Sequence, residues 1–311
     1  MARDPQSLPN GCYVILHIRA GPPYPDLTIS PQIAADTRFE LADDIWIEKL
    51  DMEFAIRIQR ACEPAHYKID NDVYDRHLYA FVRTIPENEA TRNQGLEDLL
   101  TVVALSRFIR PTSTGERYCA KILPHWLPDP PIEGLRLAGC PDVFLGDNSR
   151  DWLSPDDGSE LLKLMPWVSV RKTMHKRVHH AYWNHEQAMR TYFLDMRWNL
   201  VVSGLEALIT VEKRNVRRQF VNRVRKLAIE FGVDLSEAEL HSAYTVRSGL
   251  AHAQGFLYSL DTALPASEHR PLYDKLETLL RMTVRRSFLD ETFGQHFADK
   301  EAVTTKWGAL S

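Results

Sequence analysis

Arg247 and His252 stand five positions apart in the stretch YTVRSGLAHAQG, which runs from Tyr244 to Gly255. An arginine keeps its proton in a protein and offers a planar fork that matches phosphate oxygens. A histidine gives or takes a proton near neutrality. The pair therefore holds what phosphodiester cleavage requires without a metal: one group to neutralise the phosphate and one to move protons. Each residue also has a plainer reading. Arg247 fits a salt bridge on a helix surface, and His252 fits a helix C-terminus, where the negative end of the dipole favours the imidazolium. Five steps of a regular α-helix turn about 500°, so the two side chains diverge by about 140°. They converge if the helix loosens or ends between them, a break that Gly249 makes easier, or they line a broad cleft.

The block upstream, Arg197 to Lys226, reads RWNLVVSGLEALITVEKRNVRRQFVNRVRK. Its LEAL element is Leu205, Glu206, Ala207 and Leu208. Glu206 lies beside the apolar positions Leu205, Leu208 and Ile209, where a carboxylate needs a cationic partner; otherwise it is a helix-surface glutamate. Lys213, Arg214, Arg217, Arg218, Arg223, Arg225 and Lys226 follow with no acid among them. Such a run suits an RNA backbone, with salt-sensitive affinity, and equally a solvated face or a salt-bridge surface.

Taken in order, the LEAL helix, the basic helix and the Arg-x4-His helix end before Gly255 resemble the Apea-like branch of the HEPN superfamily. The resemblance covers the C-terminal half only. It implies an up-and-down helical bundle that forms a homodimer and acts as a metal-independent endoribonuclease. In that reading Arg247 neutralises the scissile phosphate, and His252 shuttles protons between the ribose 2′-hydroxyl and the leaving 5′-oxygen. Glu206 orients Arg247 from the facing helix. Arg214, Arg217 and Arg218 are the expected RNA contacts of the basic helix, with Ser248 beside Arg247. Two positions depart from the family pattern. Ser248 stands where active members often have Asn, Asp or His, and Gln254 stands where nucleotide-silenced toxins have a tyrosine. Other HEPN domains are non-catalytic, so the alternative is a dimerising scaffold that presents its N-terminal half to a ligand or partner.

Helical periodicity must position these residues, and it runs from about Pro155 onward. The pattern predicts helices over Ser159–Val170, Thr173–Leu194, Asp195–Val211 and Asn215–Phe231, the last closed by Gly232. Ser236 and Glu239 form a capping-box pair that opens the helix leading to His252. Glu268–Phe297 is a further long amphipathic segment, with Leu272, Leu276, Leu279, Leu280 and Val284 inward. Residues 156–311 are therefore expected to form an all-α bundle of four to five helices. Residues 1–155 read as a mixed α/β domain of unassigned role. Its strand candidates are Cys12–Arg19, Ile45–Ile47, Tyr79–Ile85 and Tyr118–Leu123; its helix candidates are Asp51–Ala61 and Glu97–Ile109, stopped by Pro111. The prolines between Pro124 and Pro141 suggest an irregular connector. The fold class is α+β.

Composition sets outer limits. A chain of 311 residues suggests two domains, and 44% hydrophobic with 26% charged residues is ordinary for a soluble protein. The net charge of −4 does not mark the whole chain as a nucleic-acid binder, and no DNA partner is expected. Its distribution is uneven: Arg171 to Phe231 holds thirteen Lys/Arg against five Asp/Glu, while Ala34 to Leu100 holds eight against fifteen. A basic face on one domain follows. Cys12, Cys62, Cys119 and Cys140 are scattered and form no CxxC pair, as in a reducing cytosol. No apolar run spans a bilayer and the first residues carry no signal-peptide core, so the expected location is cytoplasmic, with no membrane partner. His175 and His179 have metal-ligand spacing, but no carboxylate matches it and Lys176 and Arg177 repel a cation. These and His180 and His185 read as helix-surface histidines, and neither a metal nor another cofactor is expected. GxSxG, Walker A and GxGxxG motifs are missing from the sequence.

Overall fold

The computed structural model describes residues 11–18, 38–62, 79–85, 94–111, 115–123, 131–135, 155–170, 174–191, 193–251 and 265–308. The chain divides into two units, Met1–Ser169 and Val170–Ser311.

Alternating apolar residues build the sheet of the first unit. Its strands are β1 (Cys12–Ile18), β2 (Phe39–Ala42), β3 (Ile45–Lys49), β4 (Tyr79–Thr84), β5 (Gly115–Ile122) and β6 (Ile132–Leu135). They pair antiparallel in the order β2-β3-β4-β1-β5-β6. The register aligns Trp46, Val82, Val14, Ala120 and Gly134 in one row across five strands. Helix α1 (Met52–Cys62) packs its Ala55 and Ile58 on this face. Asp51 caps it by accepting from the Glu53 backbone N–H at 2.8 Å. Gly134 permits the crossing, because a Cβ there would lie 2.1 Å from the Ala61 carbonyl oxygen. On the other face Arg83 of β4 pairs with Asp98 of α2 (Gln94–Ile109). That helix is buried nearly all round, from Leu96 and Leu99 to Val102, Val103, Leu105 and Phe108. Arg110 then reaches Asp157 of α3 (Pro155–Leu164) at 2.6 Å.

The α+β class holds, and two local expectations change. β6 lies inside the segment read as an irregular connector. Among the described residues it is an edge strand, paired with β5 alone, and the Pro131 carbonyl accepts from Leu123 N at 3.0 Å. An edge is where a sheet tolerates proline at its margin. The single helix expected over Ser159–Val170 is two, α3 and α4 (Pro166–Val170), because Pro166 has no N–H to continue the first and suits the start of the second. Cys12 and Cys119 are buried. Burial, assisted by Glu48, pushes the Cys12 thiol up to about 12, so it stays protonated and acts as a small hydrophobe. Cys140 lies outside the described residues.

The second unit packs around one helix. Its elements are α5 (Lys176–Met189), α6 (Leu194–Ile209), α7 (Val216–Phe231), α8 (Glu237–Ala251), α9 (Ala266–Leu289), α10 (Glu291–Gln295) and α11 (Lys300–Trp307). Helix α6 touches α5, α7, α8 and α9. Its Trp198, Val201, Val202, Leu205, Leu208 and Ile209 are fully buried. Gly204 lets α9 approach, since a Cβ there would meet Leu280 Cδ2 at 2.8 Å. The five inward positions read on α9 are all buried. Gly232 closes α7 with φ of 66°, a left-handed turn that costs glycine nothing. Ser236 N donates to Glu239 Oε2 at 2.7 Å, and Glu239 N donates to Ser236 Oγ at 3.2 Å, completing the capping box.

Three expectations for this unit are corrected. Helix α5 is shorter than Thr173–Leu194, and Tyr192 lies outside the described residues. The segment Glu268–Phe297 breaks at Asp290, whose side chain accepts from Phe293 N at 3.0 Å and starts α10. His185 is no surface histidine. It follows Val178 and Ala181 at core spacing, is fully buried, and its Nε2 lies 2.8 Å from Glu277 Oε1. Arg281 Nε donates to the same oxygen at 3.0 Å, so the buried carboxylate is doubly compensated.

Candidate functional site

Helix α8 presents His241, Tyr244 and Arg247 at steps of three, which places them along one side of the helix. Helix α6 offers Ser203 and Glu206 from its half-exposed face, and α7 contributes Arg217. Arg247 Nη2 lies 2.9 Å from Glu206 Oε2, with the two side chains 22% and 19% exposed. The oxygen makes no aligned hydrogen bond, so the contact is one of charge. Arg247 Nε also approaches Ser203 Oγ at 3.4 Å. Burial raises the Glu206 carboxyl above its ordinary range, and the Arg247 charge opposes that only in part.

Tyr244 stands midway between His241 and Arg247 on this side of α8. Its ring is 5.3 Å from that of Phe220, and the Arg247 guanidinium carbon is 5.9 Å from its centroid. Burial and then Glu206 push its hydroxyl up, while Arg247 and Arg217 pull it down. All four groups therefore share one electrostatic neighbourhood. At the far end Arg217 Nε donates to His241 Nδ1 at 3.1 Å, and Arg217 Nη2 reaches the His241 carbonyl at 3.5 Å. Accepting from an arginine requires Nδ1 without a proton, which assigns the hydrogen to Nε2, 3.7 Å from Glu237 Oε1.

The structure brings Glu206 and Arg247 together. His252 lies outside the described residues. Helix α8 continues through Gly249 to Ala251, so Gly249 does not break it. A glycine costs a helix only about 1 kcal/mol relative to alanine, and the buried Ala243 and Val246 hold this one in place. Ser248 is half-buried and contacts no partner among the described residues.

The basic run does not form one face. Arg223 is 1% exposed and acts as a strut. Its Nη1 donates to the Ile209 carbonyl at 2.8 Å, and its Nη2 to the Gly308 carbonyl at 3.0 Å. Arg177 Nη1 donates to the carbonyls of Ala207 and Thr210 at 3.0 and 2.7 Å, so two guanidiniums cap the C-terminus of α6. Lys226 Nζ is bound to the Trp307 carbonyl at 2.7 Å, and Arg225 pairs with Glu237 at 3.4 Å. The side chains of Lys213, Arg214 and Arg218 are exposed and meet no partner among the described residues. Buried Gln219 organises the loop that carries the first two. Its Oε1 accepts from Val211 N at 3.0 Å, and its Nε2 donates to the Glu212 and Arg214 carbonyls at 2.9 and 2.8 Å.

Ser203, His241 and Tyr244 were not singled out by the sequence reading. Counting back from Arg247 in steps of three finds the last two; Ser203 follows from Glu206 by the same step. Among the described residues no three His, Cys, Asp or Glu side chains come together as metal ligands, and no helix is long and apolar enough to cross a membrane. Comparison with protein-family models, with curated proteins and with solved structures finds no match to this chain.

Proposed function

We propose that the helical unit is a metal-independent endoribonuclease of HEPN type. Arg247 takes the charge of the scissile phosphate, and Glu206 orients its fork. His252 removes the proton from the ribose 2′-hydroxyl, whose oxygen attacks phosphorus. The 5′-oxygen leaves with a proton returned by the histidine, and a 2′,3′-cyclic phosphate remains. Arg214, Arg217, Arg218 and Ser248 line the path of the RNA. Two copies form a homodimer in which paired motifs face one cleft, in the cytoplasm. The observation that carries this reading is Arg247, held at 2.9 Å by Glu206 yet still open to solvent, with Arg217 of α7 acting on the same Tyr244 that it touches.

One observation favours the scaffold reading. Glu206 already neutralises Arg247, and Ser248 adds no contact. Exposed Trp183 and Met196, 54% and 51%, would then serve association of copies without turnover. The test is incubation of purified protein with labelled total RNA in excess EDTA, alongside Arg247→Ala and His252→Ala. Cleavage by wild type alone, with cyclic-phosphate ends, is the expected result. Intact RNA in all three samples would leave the scaffold reading.

A further inference from the structure

The Tyr244 hydroxyl makes no hydrogen bond among the described residues, although charges surround it. The ring is fixed by Phe220 at 5.3 Å, so the hydroxyl has a defined position with no partner of its own among the described residues. Arg217 is similarly fixed. His241 accepts from its Nε, and the His241 carbonyl from Nη2, which leaves Nη1 of an exposed side chain with no hydrogen bond among the described residues. His241 and Arg247 are six residues apart, a rise of about 9 Å along the helix. Cations anchored at such a separation suit neighbouring phosphates of one strand, not a single phosphate.

We propose that Arg217, positioned by His241, and Tyr244 form a second phosphate subsite beside Arg247. This side of α8 then engages two successive phosphodiesters of one RNA strand. This rests on the endoribonuclease reading above. Arg217 supplies the charge of the second subsite. Tyr244 supplies a neutral O–H donor, and its raised pKa keeps that donor protonated at all ordinary pH values. His241 is a positioning residue, acting through Arg217.

Charge and neutral donor leave different signatures in salt. For a single strand, each neutralised phosphate contributes about 0.7 to the slope of log affinity against log salt. Binding of a short fluorescein-labelled 2′-O-methyl RNA, which 2′-hydroxyl attack cannot cleave, is measured by anisotropy over a salt series with the full chain. Arg217→Gln is expected to weaken binding and flatten the slope by about 0.7. Tyr244→Phe keeps the ring and should weaken binding about tenfold at unchanged slope. Arg60→Gln, an exposed cation on α1, should change neither. Thermal midpoints equal to wild type confirm that the variants fold. If wild type binds while Arg217→Gln keeps its slope or Tyr244→Phe keeps its affinity, the second subsite is overturned and the endoribonuclease reading stands. If wild type does not bind the RNA, both are overturned.

Discussion

Two forces act on Glu206: burial raises its carboxyl pKa, Arg247 lowers it, and burial prevails. A carboxyl raised in the folded state contributes stability while protonated. That contribution is complete below the unfolded value near 4.5 and is lost as pH rises through the folded value. At neutral pH the ionised side chain therefore opposes folding, and its use lies elsewhere. Glu206→Gln is expected to match wild type below pH 4.5 and to be more stable near neutrality, by no more than about 1 kcal/mol. Urea melts at the two pH values decide this; a variant clearly weaker at neutral pH would mean that the ion pair outweighs burial. The same substitution releases Arg247 from its counter-charge, so RNA should bind several-fold more tightly even where cleavage falls. Arg247 and Glu206 were legible as candidates because of their residue types. Their pairing was implied by the family resemblance alone, since residue spacing cannot show a contact between helices separated by a whole intervening element.

At the scale of the element, α7 shows what a charge run conceals. Its buried Phe220, Val224 and Leu227 fix the rotation, and Arg223 falls four residues after buried Gln219 and four before Leu227. It therefore points inward, where its hydrogen bonds to Ile209 and Gly308 secure both the end of α6 and the end of α11. Arg223→Ala is expected to cost about 3 kcal/mol, because it strips charge-assisted bonds from buried carbonyls. Arg218→Ala should stay within about 0.5 kcal/mol in stability while weakening RNA binding and its salt dependence. Chemical denaturation of both variants, with the anisotropy series, separates strut from surface cation; equal stability losses would contradict the assignment. The apolar spacing held this information, but reading the cations as a single class hid it. β6 was hidden differently. Its four residues are stabilised by pairing with β5, and prolines beside a short segment carry no local sign of that partner.

At the scale of the whole molecule, each unit has its own core. In Val170–Ser311 the helix α6 lies at its centre, with buried side chains from α7, α8 and α9 around it. A segment of that size with its own core is expected to fold alone. Residues 170–311, expressed separately, should unfold in one cooperative transition by circular dichroism and bind the labelled RNA with the salt slope of the full chain. A gradual melt would show that the helices depend on the first unit. The sequence by itself determined the α+β class, the change to helical periodicity, the caps at Gly232 and Ser236, and the inward stripe of α9. All of these are set by neighbours within a few positions, through hydrogen bonds and side-chain spacing along one element. Tertiary structure alone decided that His185 and Arg223 are interior, and that Tyr244 comes under the influence of both Arg247 and Arg217. Those outcomes depend on the rotation and crossing of several helices at once, and packing fixes them only when every helix is in place.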